Sequence, residues 1–174
     1  SGLVGSEMCI RDSVWVCDFK SLYPSIIRTF NIDPLTYVAG QTAEGEPIET
    51  IDGTQFANAQ QTPGILPRLL DTLFTERAEA KATGNAVASQ AIKILMNSFY
   101  GVLGTPACRF YNPHIANAIT SQGRALLTWS KQWFEGRGFT VLYGDTDSVF
   151  VSSGREDADA AQAEASGLVT EFNQ

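Results

Sequence analysis

Gly144-Asp145-Thr146-Asp147 places two carboxylates two residues apart. Side chains alternate along a strand, so if strand geometry continues through this run both acids point to one face. Like charges held together push each other's pKa upward unless a cation neutralises them. Asp18 ends the β-rich run Val14-Trp15-Val16-Cys17 with Val14 and Val16 on its own face, which makes it the natural third oxygen donor. A set of carboxylates suits a hard cation such as Mg2+ or Mn2+. Two such ions about 3.5–4 Å apart activate an attacking oxygen and stabilise a leaving one in phosphoryl transfer. Against this, an Asp-x-Asp turn is commonly only a solvated turn. Taken alone, the run carries little weight; strands on both sides and an upstream acid at a strand end add to it.

A second constellation is basic. Arg77 and Lys81 are four residues apart and share a helix face, as do Lys93, Asn97 and Tyr100 at i, i+4 and i+7. Cations from two antiparallel helices facing one groove suit a polyphosphate. The ordinary alternative is solvated basic residues with a tyrosine at the edge of a core. Asn97 is harder to explain that way, because Asn is a moderate helix former placed here in an apolar stretch. Gly101 would let a substrate or backbone come close. The single histidine, His114, leaves little room for histidine chemistry, and Cys9, Cys17 and Cys108 show no paired spacing. That pattern argues against a zinc site or disulfide framework and fits a reducing cytoplasm.

The elements that position these groups follow from periodicity and breakers. Residues 14–17 read as a buried strand, and 21–30 as a short helix with Pro24 in its first turn. Residues 31–64 carry Pro34, Gly40, Gly45, Pro47, Gly53, Pro63 and Gly64 and read as a long irregular connection. Leu66, Leu69, Leu70, Leu73 and Phe74 give helical spacing from 65 to about 83, and Gly84-Asn85 is a helix stop. A second helix is expected over 86–103, antiparallel because the connection is short, and a third from Asn112-Pro113 to about Gly136. Strands at 140–143 and 148–152 flank a tight turn. Residues from Asp157 onward read as an Ala-rich helix broken at Gly167, and no internal repeat is present. The fold class expected is α+β, with a helical hairpin projecting from a small antiparallel sheet. Residues 1–13 show no period or signal-peptide layout and are expected to be a non-native or disordered tail.

The 174 residues are 44% hydrophobic and 18% charged, as in one globular domain with a real core. No apolar run reaches the roughly 18 residues of a membrane span. The net charge of −7 argues against a nucleic-acid partner if taken alone. Its distribution matters more. Residues 65–124 carry Arg68, Arg77, Lys81, Lys93, Arg109 and Arg124 against Asp71, Glu76 and Glu79, whereas 31–64 carry five acids and no base. This basic middle is large enough for a triphosphate and too small to hold a duplex by itself.

Three segments resemble the core of family B DNA polymerases. Asp18-Phe-Lys-Ser-Leu-Tyr-Pro-Ser-Ile-Ile27 is similar to the family's first palm motif, Lys93-Ile-Leu-Met-Asn-Ser-Phe-Tyr-Gly101 to its fingers motif, and Tyr143-Gly-Asp-Thr-Asp-Ser148 to its second palm motif. Each is short, but three in this order are specific. The resemblance runs from about residue 14 to 153, and Ala107-Cys-Arg-Phe-Tyr-Asn-Pro113 leans toward the bacterial branch of the family. It implies palm segments at 14–64 and 105–174, the second of them truncated, with fingers at 65–104. It also implies two Mg2+ ions, for which Mn2+ would substitute, held by Asp18, Asp145, Asp147 and the carbonyl of Phe19. The backbone of Ser21, Leu22 and Tyr23 would cradle the β- and γ-phosphates, and the Tyr23 ring would exclude a 2′-hydroxyl. Arg77, Lys81 and Lys93 would bind the triphosphate with Asn97 in support, and Tyr100 with Gly101 would lie against the nascent base pair.

The implied partners are primer–template DNA, a deoxynucleoside triphosphate and, through regions outside these residues, a sliding clamp. The implied location is the bacterial cytoplasm, at the nucleoid. The family's thumb, exonuclease and amino-terminal domains have no counterpart here, so the isolated chain is expected to be weakly active or inactive. Two rival readings remain at this point: an RNA-synthesising two-metal nucleotidyl transferase, and a non-catalytic relative that binds DNA or a partner as a scaffold.

Overall fold

The computed structural model describes residues 6–11 (backbone), 14–39, 45–152, 154, 164, 167, 168 and 170–172. It divides into two compact units, Ser1–Leu22 with Gly123–Gln174, and Tyr23–Gln122. As expected for an α+β chain, it combines small antiparallel sheets with long helices.

The first unit is built on a four-stranded antiparallel sheet. Its strands are β1 (Ser6–Arg11), β2 (Val14–Phe19), β5 (Thr140–Gly144) and β6 (Ser148–Ser152), in the order β1-β2-β6-β5. The sequence from Val14 alternates in burial as the pleat requires. Trp15, Cys17 and Phe19 are buried, while Val14, Val16 and Asp18 are half-buried. Trp15, Cys17, Val149 and Val151 form the inner face with Phe134, backed by Leu127, Trp133, Phe139, Val141, Leu168 and Phe172. The Trp15 and Phe139 rings lie 5.1 Å apart and Phe134 and Phe172 stack at 5.9 Å, which fills the space under the sheet with aromatic area.

Ser6–Arg11 were expected to stand outside the fold. They are instead placed along β2, in register from Ser6 opposite Phe19 to Arg11 opposite Val14. The physical reason is that an edge strand needs only backbone partners, and β2 would otherwise present an open row of them. Of the expected carboxy-terminal helix, residues 157–163 lie outside the described residues. Gly167, expected as a break, is itself helical.

The second unit holds the remaining elements: nearly all of α1 (Leu22–Thr29), β3 (Ile48–Glu49), β4 (Gln55–Phe56), α2 (Ile65–Ala82), α3 (Ala86–Gly104) and the first half of α4 (Pro113–Glu135). Helix boundaries follow local chemistry. Gly84 at φ +71° ends α2, and the Asn85 side chain caps α3 by accepting from the Ala88 amide at 3.0 Å. Asn112 accepts from the His114 amide at 3.0 Å, and Pro113 opens α4. Helices α2 and α3 pack together as the expected antiparallel hairpin.

The 31–64 connection is less irregular than its composition suggests. Strands β3 and β4 pair, and Tyr37 bridges to Phe56, which is fully buried. Two-residue strands carry no detectable period, so this hairpin rests on its turn. Thr50 Oγ1 donates to Asp52 Oδ1 at 2.8 Å, and Gly53 takes φ +82°.

Two measurements check these assignments. Trp15→Ala should cost about 3–5 kcal/mol, the usual loss for a buried large aromatic, read as a lower urea midpoint with unchanged slope. Partial burial alone would raise the Asp52 pKa, but hydrogen bonds from Thr50 and Thr54 outweigh it and hold the carboxyl below its ordinary 3.8. Asp52 therefore favours the folded state above pH 3.8, and that contribution disappears as the pH falls through its lower folded value. Asp52→Asn should remove this part of the acid dependence of unfolding.

Candidate active site

Both ends of the carboxylate array are set by the register of β2 on β6. Asp18 lies opposite Ser148, Cys17 opposite Val149 and Trp15 opposite Val151. Because the buried residues fix the inner face, Asp18 must point to the other one. One residue beyond the pairing, the Phe19 amide donates to the Asp147 carbonyl at 2.8 Å, which brings the backbone of the second acid beside the end of β2. Asp18 and Asp147 are thus neighbours through the ladder although 129 residues separate them in sequence.

Asp145 and Asp147 lie in the turn expected between the two strands, so the condition of continuous strand geometry is not met. Strand β5 ends at Gly144 and β6 starts at Ser148, so both acids belong to the turn. The Asp145 amide donates to the Ser148 carbonyl at 2.8 Å and closes it. Asp145 Oδ1 accepts from the Thr146 amide at 2.7 Å and from Thr146 Oγ1 at 3.3 Å, which orients that carboxylate locally. The register shift between Val141 and Tyr143 inserts Leu142 as an extra residue just before the turn, the kind of bulge that re-aims side chains near functional sites. Both acids are exposed and Asp18 is half-buried.

Among the described residues, no three His, Cys, Asp or Glu side chains converge as a ready metal group. The donor chemistry nevertheless fits a hard divalent ion. The candidate donors are all oxygen, and their backbones lie at one end of the sheet. Mg2+ in particular is commonly held by one or two carboxylates completed by water and substrate phosphates.

Ser21 follows directly in the same unit. It has φ +51°, uncommon for a residue with a side chain, and its buried Oγ has no hydrogen-bond partner among the described residues. A strained backbone and an unsatisfied buried hydroxyl at one position are costly, and such features gather at ligand-binding turns. Leu22, beside it, is buried.

In the second unit the hairpin carries the basic constellation. Arg77 and Lys93 are half-buried, whereas Lys81 and Asn97 are exposed. Arg77 Nε is buried and unpartnered among the described residues, so its guanidinium is not consumed by an ion pair there. A Cβ at Gly101 would meet nothing within 4 Å, so packing does not demand the glycine. The Tyr100 ring lies 4.8 Å from that of Tyr23, which joins α3 to α1. His114, given no role, stacks on Tyr37 at 6.1 Å, and Cys17 and Cys108 form no disulfide among the described residues. Sequence reasoning missed Asn31 and Asp33, both buried at the foot of α2. Their only signal was the turn-forming Asn-x-Asp-Pro run.

The chain is similar to known proteins over most of its length. Over 149 residues the chain is 46% identical to DNA polymerase II of Escherichia coli, covering 86% of this chain and 19% of that protein. It is 36% identical over 172 residues to the DNA polymerase alpha catalytic subunit of Arabidopsis thaliana, covering 92% of this chain and 11% of that one. The family B DNA polymerase of Pyrobaculum calidifontis superposes with a TM-score of 0.72 at 26% identity, over 92% of this chain and 23% of its own. The chain therefore spans about a fifth or less of the first two relatives. The sequence model for DNA polymerase family B matches residues 6–174, taking in the outer strand β1 as well as the three motifs, and the chain belongs to that family.

Proposed function

We propose that this chain supplies the catalytic centre for template-directed DNA synthesis, joining a deoxynucleoside monophosphate to a primer 3′-hydroxyl with release of pyrophosphate. The observation that carries the reading is the placement of Asp18 and Asp147 side by side through the β2–β6 ladder, with Asp145 in the same turn.

Asp18, Asp145, Asp147 and the Phe19 carbonyl would hold two divalent ions, with Mg2+ the first choice for an all-oxygen set. When bound, such ions lower the barrier by drawing charge from the attacking and leaving oxygens. The rest falls to the chain's own groups. The exposed turn leaves the carboxylates open to a triphosphate. The backbone of Ser21, Leu22 and Tyr23 would bind its β- and γ-phosphates, a role that suits the strained, unsatisfied Ser21. Arg77, Lys81 and Lys93, with Asn97, would balance the remaining phosphate charge from the hairpin. The Tyr23 ring would exclude a 2′-hydroxyl, and Tyr100 with Gly101 would test the shape of the new base pair. Catalysis of this kind is positioning and charge neutralisation, with little covalent work for the protein. Primer–template DNA would be gripped mainly by regions outside these residues, and a sliding clamp would engage there as well.

The test is a chimera in which residues 14–153 replace the matching region of a complete family B polymerase. Primer extension with Mg2+ should be retained, and Asp147→Asn should reduce it by at least about a hundredfold, the scale of losing one preorganised charge-stabilising group. Equal extension by the Asn variant would remove the carboxylates from the mechanism and favour a scaffold role. Tyr23→Ala in the same chimera should raise ribonucleotide incorporation relative to deoxynucleotide by roughly a hundredfold. No change in that ratio would point to an RNA-synthesising enzyme.

A further inference from the structure

Asn31 and Asp33 lie in the loop after α1 yet are only 1% and 3% exposed. Buried polar side chains must be paired, and these two are paired with the foot of α2. Asn31, at φ +53°, donates from Nδ2 to the Ala57 carbonyl at 2.7 Å and the Thr62 carbonyl at 2.9 Å. Its Oδ1 accepts from the Gly64 amide at 2.8 Å. Asp33 accepts from the Leu35 amide on Oδ1 and from the Leu66 amide on Oδ2, both at 2.7 Å. Leu66 is in the first turn of α2, where amides lack intrahelical partners, and Gly64 at the cap position has no side chain to offer. A carboxylate 33 residues away in sequence therefore supplies the cap. Packing is as close as the bonding. A Cβ on Gly64 would come 2.8 Å from Pro67 Cδ and 3.0 Å from both Asn31 Oδ1 and Asp33 Cβ.

Farther along α2 the polar contacts from Arg28 of α1 are looser. Arg28 reaches Asp71 at 3.7 Å with side chains 40% and 63% exposed, and its guanidinium lies 4.6 Å over the Phe74 ring. Exposed pairs of this kind contribute little. The polar contacts of the hairpin are thus short and buried at its foot and exposed above it. Arg77 is 13 residues beyond Gly64, or about 20 Å along the helix at 1.5 Å per residue. A tilt of about 10° at the foot displaces it by roughly 3 Å, far more than a phosphate hydrogen bond tolerates.

We propose that Asn31 and Asp33 are positioning residues that fix the direction in which α2 leaves Gly64, and so set where Arg77, Lys81 and Lys93 meet the triphosphate of an incoming nucleotide. This rests on the polymerase reading above. Weakening the clamp lowers the fraction of molecules whose hairpin is correctly directed. A binding-competent fraction f raises the apparent dissociation constant by 1/f and leaves the rate at saturation nearly unchanged.

The experiment has two parts. In the chimera, single-turnover incorporation is measured against nucleotide concentration for Asp33→Asn, which removes the acceptor for Leu66, and for Gly64→Ala, which wedges the clamp while deleting no hydrogen-bonding group. Both should raise the apparent nucleotide dissociation constant about tenfold, equivalent to about 1.4 kcal/mol, with the saturated rate within about twofold. A reduced reaction amplitude with unchanged nucleotide affinity would make the clamp merely structural and overturn the proposal. In the 174-residue chain itself, Asp33→Asn should speed amide exchange at Leu66 while the β2 and β6 amides stay protected. Unchanged exchange at Leu66 would also overturn it, whatever the chimera does. A parent chimera that fails to extend primers would sink the polymerase reading instead, which the exchange result leaves untouched.

Discussion

The pairing of β2 with β6 is the constraint on which the rest of the site depends. Its register is chosen by burial, since Trp15, Cys17, Val149 and Val151 must share one face over the aromatic cluster of Phe134, Phe139 and Phe172. A slip of one residue would turn Asp18 into that cluster and Trp15 out to solvent, with the cost of a buried, unpaired charge added to the lost apolar burial. The same apolar residues that stabilise the sheet therefore place Asp18 beside Asp147. The Phe19–Asp147 backbone bond extends the ladder one step and ties the turn to the strand end.

Holding acids together usually conflicts with folding, because each disfavours the charge on the next. The fold limits the conflict by leaving the acids near water. Asp145 and Asp147 sit in an exposed turn, and Asp145 is satisfied locally by Thr146. High-dielectric surroundings keep the mutual repulsion modest. On the proposed reading, these acids are a partial set of donors that a cation and a phosphate would complete, in place of a closed protein cage.

Elements defined by local periodicity were legible to within a residue or two. The spacing of Leu66, Leu70 and Leu73, the Gly84-Asn85 stop and the Asn112-Pro113 start each act over a few residues, and the helices begin and end where they say. What was not legible depends on distant partners. Ser6–Arg11 are a strand because β2 offers an edge. Strands β3 and β4 are too short for a period, and Gly167 stays helical where composition suggested a break. The acids were found from spacing, and the turn expected between the two strands is where they lie. Their proximity to Asp18 comes from the ladder. Asn31 and Asp33 escaped notice because their partners, Ala57, Thr62, Gly64 and Leu66, lie 26 to 33 residues downstream.

The Tyr23–Tyr100 contact bears on how selectivity could be built from these parts. Tyr23 belongs to α1 and Tyr100 to α3, so rings from two separate helices meet at 4.8 Å and a tilt of 49°. On the proposed reading one ring tests the sugar and the other tests the base pair. Two tests made by touching rings are not independent, since displacement of either ring opens space beside the other. The foot of α2 is bonded to the loop that follows α1, and α2 packs on α3, so a single connected path of buried bonds and packed helices returns from Tyr100 to Tyr23. On that reading sugar choice, base-pair shape and the placement of the hairpin cations would be coupled through one connected set of contacts within this unit rather than set by three separate ones.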